Sequence, residues 1–183
     1  MTNIDNSRAF NLSRSGLSVF SRVTWSGFVG VKKEKTILLL ENAEDDVFMF
    51  RRALLNLEFR GQVRVVESVR EAREYMIGDG SFHDRKYFPV PDLIVCDFGL
   101  SGERGSDFVQ WLKQHPAYNH IPVVFFTGSI PEKQIPAMVR QFQIPVHKKD
   151  VDFHVITNTV KTMLEYMSQN SRAEKTPSAH DPD

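Results

Sequence analysis

Five polar side chains that can do chemistry follow runs of apolar residues along the chain. Glu41 and Asn42 come after TILLL, Asp97 after LIVC, Thr127 after IPVVFF, and Lys149 after a last short apolar segment. A single aspartate in such a place commonly caps a turn. The chemistry of Asp97 therefore depends on whether the other four side chains lie beside it.

Placed together, these side chains are suited to phosphoryl transfer. The carboxylate of Asp97 can act as a nucleophile toward a phosphoryl group, which would leave an acyl phosphate on Asp97. Oxygen ligands suit a magnesium ion that neutralises charge on the transferred group. Lys149 would bind one phosphoryl oxygen and Thr127 would donate a hydrogen bond to another.

The apolar runs and the helical segments between them predict the elements that would position this site. Buried strands are predicted at residues 36–40, 63–66, 93–96, 121–126 and 144–147, the last at an edge because it contains Pro145. Apolar residues at helical spacing predict helices from 44, from 69 to 77, at 106–114, at 136–142 and from 152 to 167. Strands that alternate with helices favour an α/β fold, a doubly wound parallel sheet.

The composition limits the function classes. The 183 residues carry 23 Lys and Arg against 23 Asp and Glu, so the formal net charge is zero and a nucleic-acid partner is not expected. The single cysteine, Cys96, cannot form an internal disulfide, which favours a cytoplasmic setting. The most apolar N-terminal stretch, residues 16–31, is interrupted by Arg22 and several serines, so no membrane span is expected.

The sequence divides into three parts. Residues 1–35 lack a sustained period and are interpreted as a poorly ordered extension, with an amphipathic arm that contacts a partner or a membrane as the alternative. Residues 36–167 form the predicted domain, and residues 168–183 a disordered tail. The segment 78–91 is long for a connection between a helix and a strand.

Four motifs together resemble the receiver domain of bacterial response regulators. They read ILLLEN, DLIVCDFGL around Asp97, FFTGS around Thr127, and KDVDF from Lys149. Asp97 and Thr127 are 30 positions apart and Thr127 and Lys149 are 22 apart, as in that family. Gly105 also stands where the family has a glycine. The long segment 78–91 resembles the single-domain regulators that accompany bacterial phytochromes.

The resemblance implies a function and a fold. Asp97 would accept a phosphoryl group from a sensor histidine kinase or phosphotransfer protein, and Thr127 and Lys149 would respond to it. The protein would signal through a downstream protein partner or a homodimer, and would catalyse at most its own phosphorylation and slow dephosphorylation. The fold would be a flavodoxin-like, three-layer sandwich with strand order 2-1-3-4-5.

The resemblance also implies a magnesium site made by Glu41, Asn42, Asp97 and Gly99. Asn42 stands where the family usually has a carboxylate, so the affinity for magnesium should be weak. The slow dephosphorylation is expected because Gly99 and Ser129 cannot orient a water as an acid or amide would.

Two other functions remain open at this point. Asn42, Asp150 in place of a proline, and Pro136 within a predicted helix are compatible with a degenerate receiver that binds partners without phosphorylation. An aspartyl phosphatase would need a second aspartate where Gly99 stands.

The neighbouring charges also have alternatives. Glu44, Asp45 and Asp46 are interpreted as helix-start residues, with Glu44 as an alternative metal ligand. Lys148 is the alternative to Lys149.

Overall fold

A computed structural model describes residues 34–100, 102–128 and 130–173 of the chain. The expectations for residues 1–33, for Ser129 and for the end of the predicted tail, residues 174–183, concern positions outside the described residues. None of the described helices is long and apolar enough to cross a membrane.

Five parallel strands form one sheet in the order β2-β1-β3-β4-β5. This is the order that the resemblance implied. The strands are β1 (Thr36–Leu40), β2 (Gln62–Val66), β3 (Leu93–Cys96), β4 (Val123–Thr127) and β5 (Val146–Lys148).

Five helices alternate with the strands and cover both faces of the sheet. They are α1 (Glu44–Asn56), α2 (Val69–Ile77), α3 (Gly105–Gln114), α4 (Ile135–Phe142) and α5 (Phe153–Ala173). Successive residues of a strand point to opposite faces, so Ile37 and Leu39 pack with α1 and α5, whereas Leu38 and Leu40 pack with α2, α3 and α4. The predicted doubly wound α/β fold is confirmed.

The starts of β4 and β5 differ from the prediction because of proline. β4 begins at Val123 rather than at 121, directly after Pro122, and it continues through Thr127. β5 covers Val146–Lys148 rather than 144–147. Pro145 has no N–H to donate to a ladder, although its carbonyl accepts a hydrogen bond from the backbone N–H of Phe125 at 2.9 Å.

Pro136 does not disrupt α4. It lies in the first turn of the helix, where a missing N–H removes no helical hydrogen bond. The helix spans Ile135–Phe142, close to the predicted 136–142. One of the three reasons for expecting a degenerate receiver is therefore removed.

Described contacts and helix extend past both predicted limits of the domain, residues 36 and 167. The ammonium of Lys35 donates to Asp92 at 2.7 Å and to the hydroxyl of Ser171 at 3.0 Å. Helix α5 continues to Ala173, past the predicted start of a tail at 168. These contacts hold the residue before β1 and the last turns of α5 in the folded domain.

The segment between α2 and β3 is held by Arg85. Its guanidinium donates to the backbone carbonyls of Tyr75, at 2.7 Å, and of Met76, both in the last turn of α2. It also donates to the carbonyl of Phe88 at 3.2 Å. The helix is capped by Gly78, directly after Ile77, and its φ of 75° suits glycine. We call Arg85 and these three carbonyls the Arg85 anchor.

Candidate functional site

The predicted site residues come together at the carboxyl edge of the sheet. Glu41 and Asp97 directly follow β1 and β3, Thr127 ends β4, and Lys149 directly follows β5. Glu41, Asp97 and Thr127 are all buried. Ligands of open α/β sheets bind at this edge, so the fold places these residues where the sequence predicted chemistry.

Backbone hydrogen bonds fix the positions of three of these residues. The N–H of Glu41 donates to the carbonyl of Val66 at 2.9 Å, and the N–H of Asp97 donates to the carbonyl of Leu40 at 2.9 Å. The N–H of Lys149 donates to the carbonyl of Thr127 at 3.0 Å. Each residue thus continues the hydrogen bonding of its strand with a neighbouring one.

The ammonium of Lys149 lies among three carboxylates. It donates hydrogen bonds to Oε2 of Glu41 and, at 2.8 Å, to Oδ2 of Asp46. Oδ2 of Asp97 lies 3.3 Å from the same nitrogen. We call Glu41, Asp46, Asp97 and Lys149 the acid–lysine cluster.

The charges of this cluster alter the pKa values of its members. Burial raises the pKa of Glu41, and the hydrogen bond from Lys149 opposes that shift. Burial alone would lower the pKa of Lys149, but its hydrogen bonds to Asp46 and Glu41 and the charge of Asp97 outweigh burial and raise it. Lys149 therefore stays protonated at neutral pH and can bind an anionic group.

Cys96 is a packing residue. It is fully buried, and its Sγ lies 3.2 Å from the backbone carbonyl of Asp97, to which it donates. Burial first, and then the charges of Asp97 and Glu41, raise the pKa of the thiol. The thiol is therefore protonated and unreactive at neutral pH.

The close packing of α3 against the end of β3 requires a glycine at 105. A Cβ atom at this position would lie 2.0 Å from the backbone oxygen of Asp97 and 2.7 Å from Sγ of Cys96. Because backbone cannot yield as a flexible side chain can, any larger residue would displace Asp97. Gly105 therefore helps to position the predicted phosphoacceptor.

The oxygen atoms that could hold a divalent cation are those of Asp97, Asn42, Glu41 and Gly99. Oδ1 of Asp97 is buried and has no hydrogen-bond partner in the described part of the chain, so it can serve as an oxygen ligand for a cation. Asn42, which directly follows Glu41, and Gly99, two residues after Asp97, are exposed. These oxygen ligands fit a hard cation such as Mg²⁺. They include one carboxylate fewer than a site with an acid at position 42, because Asn42 is an amide.

The described residues contain no group of three or more His, Cys, Asp or Glu arranged to hold a metal ion. The acids that come closest to one another are bridged by the ammonium of Lys149 instead.

Asp46 is the residue of the cluster whose role the sequence did not predict. It belongs to the first turn of α1 together with Glu44 and Asp45, and all three acids satisfy the same preference for a helix start. The side chain that contacts Lys149 is selected by the direction of α1 relative to β5. No spacing rule in the sequence distinguishes it from its two neighbours.

Comparison with known proteins finds response regulators that are similar in sequence and in structure. No protein-family model matches the sequence. The response regulator Rcp1 of Synechocystis sp. is 26% identical over 103 residues, which cover 56% of this chain and 68% of Rcp1.

Solved structures extend the likeness to the fold. The phosphorylated cyanobacterial phytochrome response regulator RcpA is 26% identical, with a TM-score of 0.64 over 74% of this chain and 94% of RcpA. The fold is that of a response regulator receiver domain. The manganese-bound form of Rcp1 has the same fold, with a TM-score of 0.61 and 22% identity over 72% of this chain and 93% of Rcp1.

The receiver fold explains why these polar residues are found at one edge. Its strand order places β1 and β3 side by side in the centre of the sheet, so Glu41 and Asp97 follow adjacent strands. β5 lies at the edge next to β4, and the backbone N–H of Lys149 donates a hydrogen bond to the carbonyl of Thr127. The resemblance to receiver domains, including those of phytochrome-associated regulators, is thus confirmed by fold and by sequence.

Proposed function

We propose that the protein is a response regulator receiver that accepts a phosphoryl group on Asp97 from a histidine kinase or a phosphotransfer protein. The observation that carries the proposal is the position of Asp97. Its carboxylate lies at the carboxyl edge of a receiver fold, 3.3 Å from the ammonium of Lys149. The likeness to RcpA, a response regulator with a phosphorylated form, supports it.

In the proposed transfer, a carboxylate oxygen of Asp97 attacks the phosphorus atom. A new O–P bond forms, and the bond between phosphorus and the donor nitrogen of a phosphohistidine breaks. The leaving imidazole keeps that electron pair and takes up a proton. The ammonium of Lys149 donates to one oxygen of the transferred group and the hydroxyl of Thr127 donates to another.

A divalent cation such as Mg²⁺ would be held by Asp97, Asn42 and the carbonyl of Gly99, with Glu41 in contact through water. When bound, it would neutralise charge on the transferred group. Because Asn42 contributes an oxygen without a charge, phosphorylation should need more magnesium than a site with a carboxylate at this position.

The phosphorylated form would act in the cytoplasm by changing contacts with a downstream protein or with a second copy of the chain. A receiver changes between two conformations that the phosphoryl group biases. Loss of the phosphoryl group should be slow, since Gly99 carries no side chain that could orient a water.

Intact-mass spectrometry after incubation with acetyl phosphate and magnesium tests the proposal. The wild-type protein should gain the mass of one phosphoryl group, and the sample should lose it only slowly after acetyl phosphate is removed. Asp97→Asn should gain none, because the amide is not a nucleophile of this kind. Asp45→Asn, an exposed acid on α1, is the matched control and should behave as wild type.

A degenerate receiver, which binds partners without phosphorylation, is the second candidate. The specific observation in its favour is Asn42 at the proposed metal site. If wild type gains no mass at high magnesium but Asn42→Asp does, this second function is the correct one. A mass gain that persists in Asp97→Asn would contradict the choice of acceptor.

A further inference from the structure

Lys149 can donate three N–H bonds, and two of them are already used within the cluster. Glu41 and Asp46 accept hydrogen bonds from its ammonium, whereas Asp97 lies at the longer distance of 3.3 Å. A phosphoryl group on Asp97 needs a donor from Lys149. The third N–H faces Asp97, but across 3.3 Å, so the ammonium must move away from one of its two shorter contacts to bind that group closely.

Glu41 is poorly suited to release Lys149. Its side chain is only 3% exposed, and its other carboxylate oxygen accepts from the backbone N–H of Ala43 at 2.9 Å. If Lys149 left, a buried carboxylate would lose its counter-charge, which is costly.

Asp46 differs from Glu41 in burial and in position. Its side chain is 40% exposed, so water can replace the ammonium at little cost. It also lies on α1, whereas Lys149 belongs to the connection from β5 to α5. The contact between them therefore joins two different elements of the fold.

We propose that Asp46 is a positioning residue that holds Lys149 in the unphosphorylated protein and releases it when Asp97 carries a phosphoryl group. The proposal rests on the proposed function. Asp46 competes with the phosphoryl oxygens for the position of the Lys149 ammonium. It thereby sets the affinity of the site for a phosphoryl group and connects that affinity to the start of α1.

The affinity for beryllium fluoride, an analogue of the phosphoryl group, tests this competition by titration calorimetry at saturating magnesium. Asp46→Asn should bind the analogue roughly two- to fivefold more tightly than wild type, the range expected for loss of a partly exposed ion pair. Asp46→Glu keeps the charge and should restore an affinity close to that of wild type.

Asp45→Asn separates this role from a general effect of charge. It removes the same charge from the same turn of α1 at an exposed residue, and should change the affinity much less than Asp46→Asn does. Equal effects of the two variants would overturn the proposal, as would unchanged or weaker binding by Asp46→Asn.

The nitrogen-15 resonance of the Lys149 ammonium gives a readout without phosphorylation. Asp46→Asn should shift this resonance in the unliganded protein, and Asp45→Asn should leave it in place. If the wild-type protein and both variants bind no analogue, the proposed function fails. The resonance then decides whether Asp46 holds Lys149, and no shift in Asp46→Asn overturns that contact too.

Discussion

Two cations hold parts of this domain together, and they do so with different acceptors. Lys149 bonds to carboxylates that follow β1 or lie on α1, whereas Arg85 bonds to backbone carbonyls at the end of α2 and to that of Phe88. Both cations are partly or largely buried. Carboxylates can titrate and can be displaced by other anions, but carbonyls can do neither.

This difference separates a contact that can switch from one that is fixed. The guanidinium of Arg85 faces the negative end of the α2 dipole and gives several donors to acceptors that the backbone holds in place. Lys149 has alternative acceptors within reach. The acid–lysine cluster is thus suited to rearrangement, and the Arg85 anchor to keeping the segment after α2 in one conformation.

Removal of Lys149 should have the largest effect on stability. Lys149→Met leaves the buried carboxylates of Glu41 and Asp97 without a counter-charge. The free energy of unfolding at neutral pH should therefore fall by about 3 to 5 kcal/mol. Burial holds the pKa of Glu41 above its usual 4.5. The folded variant should therefore take up a proton before the unfolded chain does, and its deficit should shrink as the pH falls from 7 to 5.

Urea unfolding at several pH values measures this deficit. Lys148→Met, at an exposed lysine next to Lys149, is the matched control and should unfold like wild type. A deficit that is the same at pH 5 and pH 7 would mean that the carboxylates are not its cause.

Removal of Arg85 should have a smaller effect that does not depend on pH. Arg85→Met leaves the carbonyls of Tyr75, Met76 and Phe88 without their charged donor, which should cost about 2 to 3 kcal/mol. Carbonyls do not titrate, so the loss should be constant between pH 5 and 8. The exposed Lys86 provides the control variant Lys86→Met.

The mass gain with acetyl phosphate should be unaffected in Arg85→Met, provided that the variant is measured below its unfolding transition. A loss of phosphorylation in a folded Arg85→Met protein would contradict the separation of the two regions.

Substitution of His147 should have the smallest effect on stability, and this effect should appear only in acid. Its Nε2 is buried without a partner in the described part of the chain, and burial lowers its pKa below 6.5. The unfolded chain should then bind a proton below pH 6.5 while the folded protein does not, so acid should reduce the stability of wild type. The slope should be at most about 1.4 kcal/mol per pH unit.

His147→Gln should lack this contribution in the same urea experiment. Because His147 lowers stability in acid, whereas the carboxylates of Lys149→Met recover it, the two effects have opposite signs. If His147→Gln loses stability in acid as steeply as wild type does, another group causes that loss.

Much of the fold follows from local sequence. The runs TILLL and LIVC are β1 and β3 with the predicted bounds, because a strand buried on both faces needs an uninterrupted apolar segment. β4 and β5 begin two residues later than predicted, since the proline directly before each strand has no backbone N–H to donate. Pro136 was harder to interpret, because its effect depends on where the helix begins.

The site was predictable to the extent that it follows the strands. Glu41, Asp97, Thr127 and Lys149 each end or follow a strand, so the sheet brings them together. Asp46 and Arg85 act through the direction of long side chains toward another element. Nothing in the neighbouring sequence distinguishes Asp46 from Asp45, or Arg85 from the exposed Lys86, before the packing of the helices is known.

The distance along the chain between Glu41 and Lys149 has a consequence for synthesis of the protein. Their contact joins residues 108 positions apart, and contacts of such long range form only after the intervening chain has been ordered. A nascent chain that has not yet left the ribosome beyond Lys149 lacks the ammonium that the carboxylates need. The acid–lysine cluster should therefore stay incomplete until nearly the whole domain has been translated and folded.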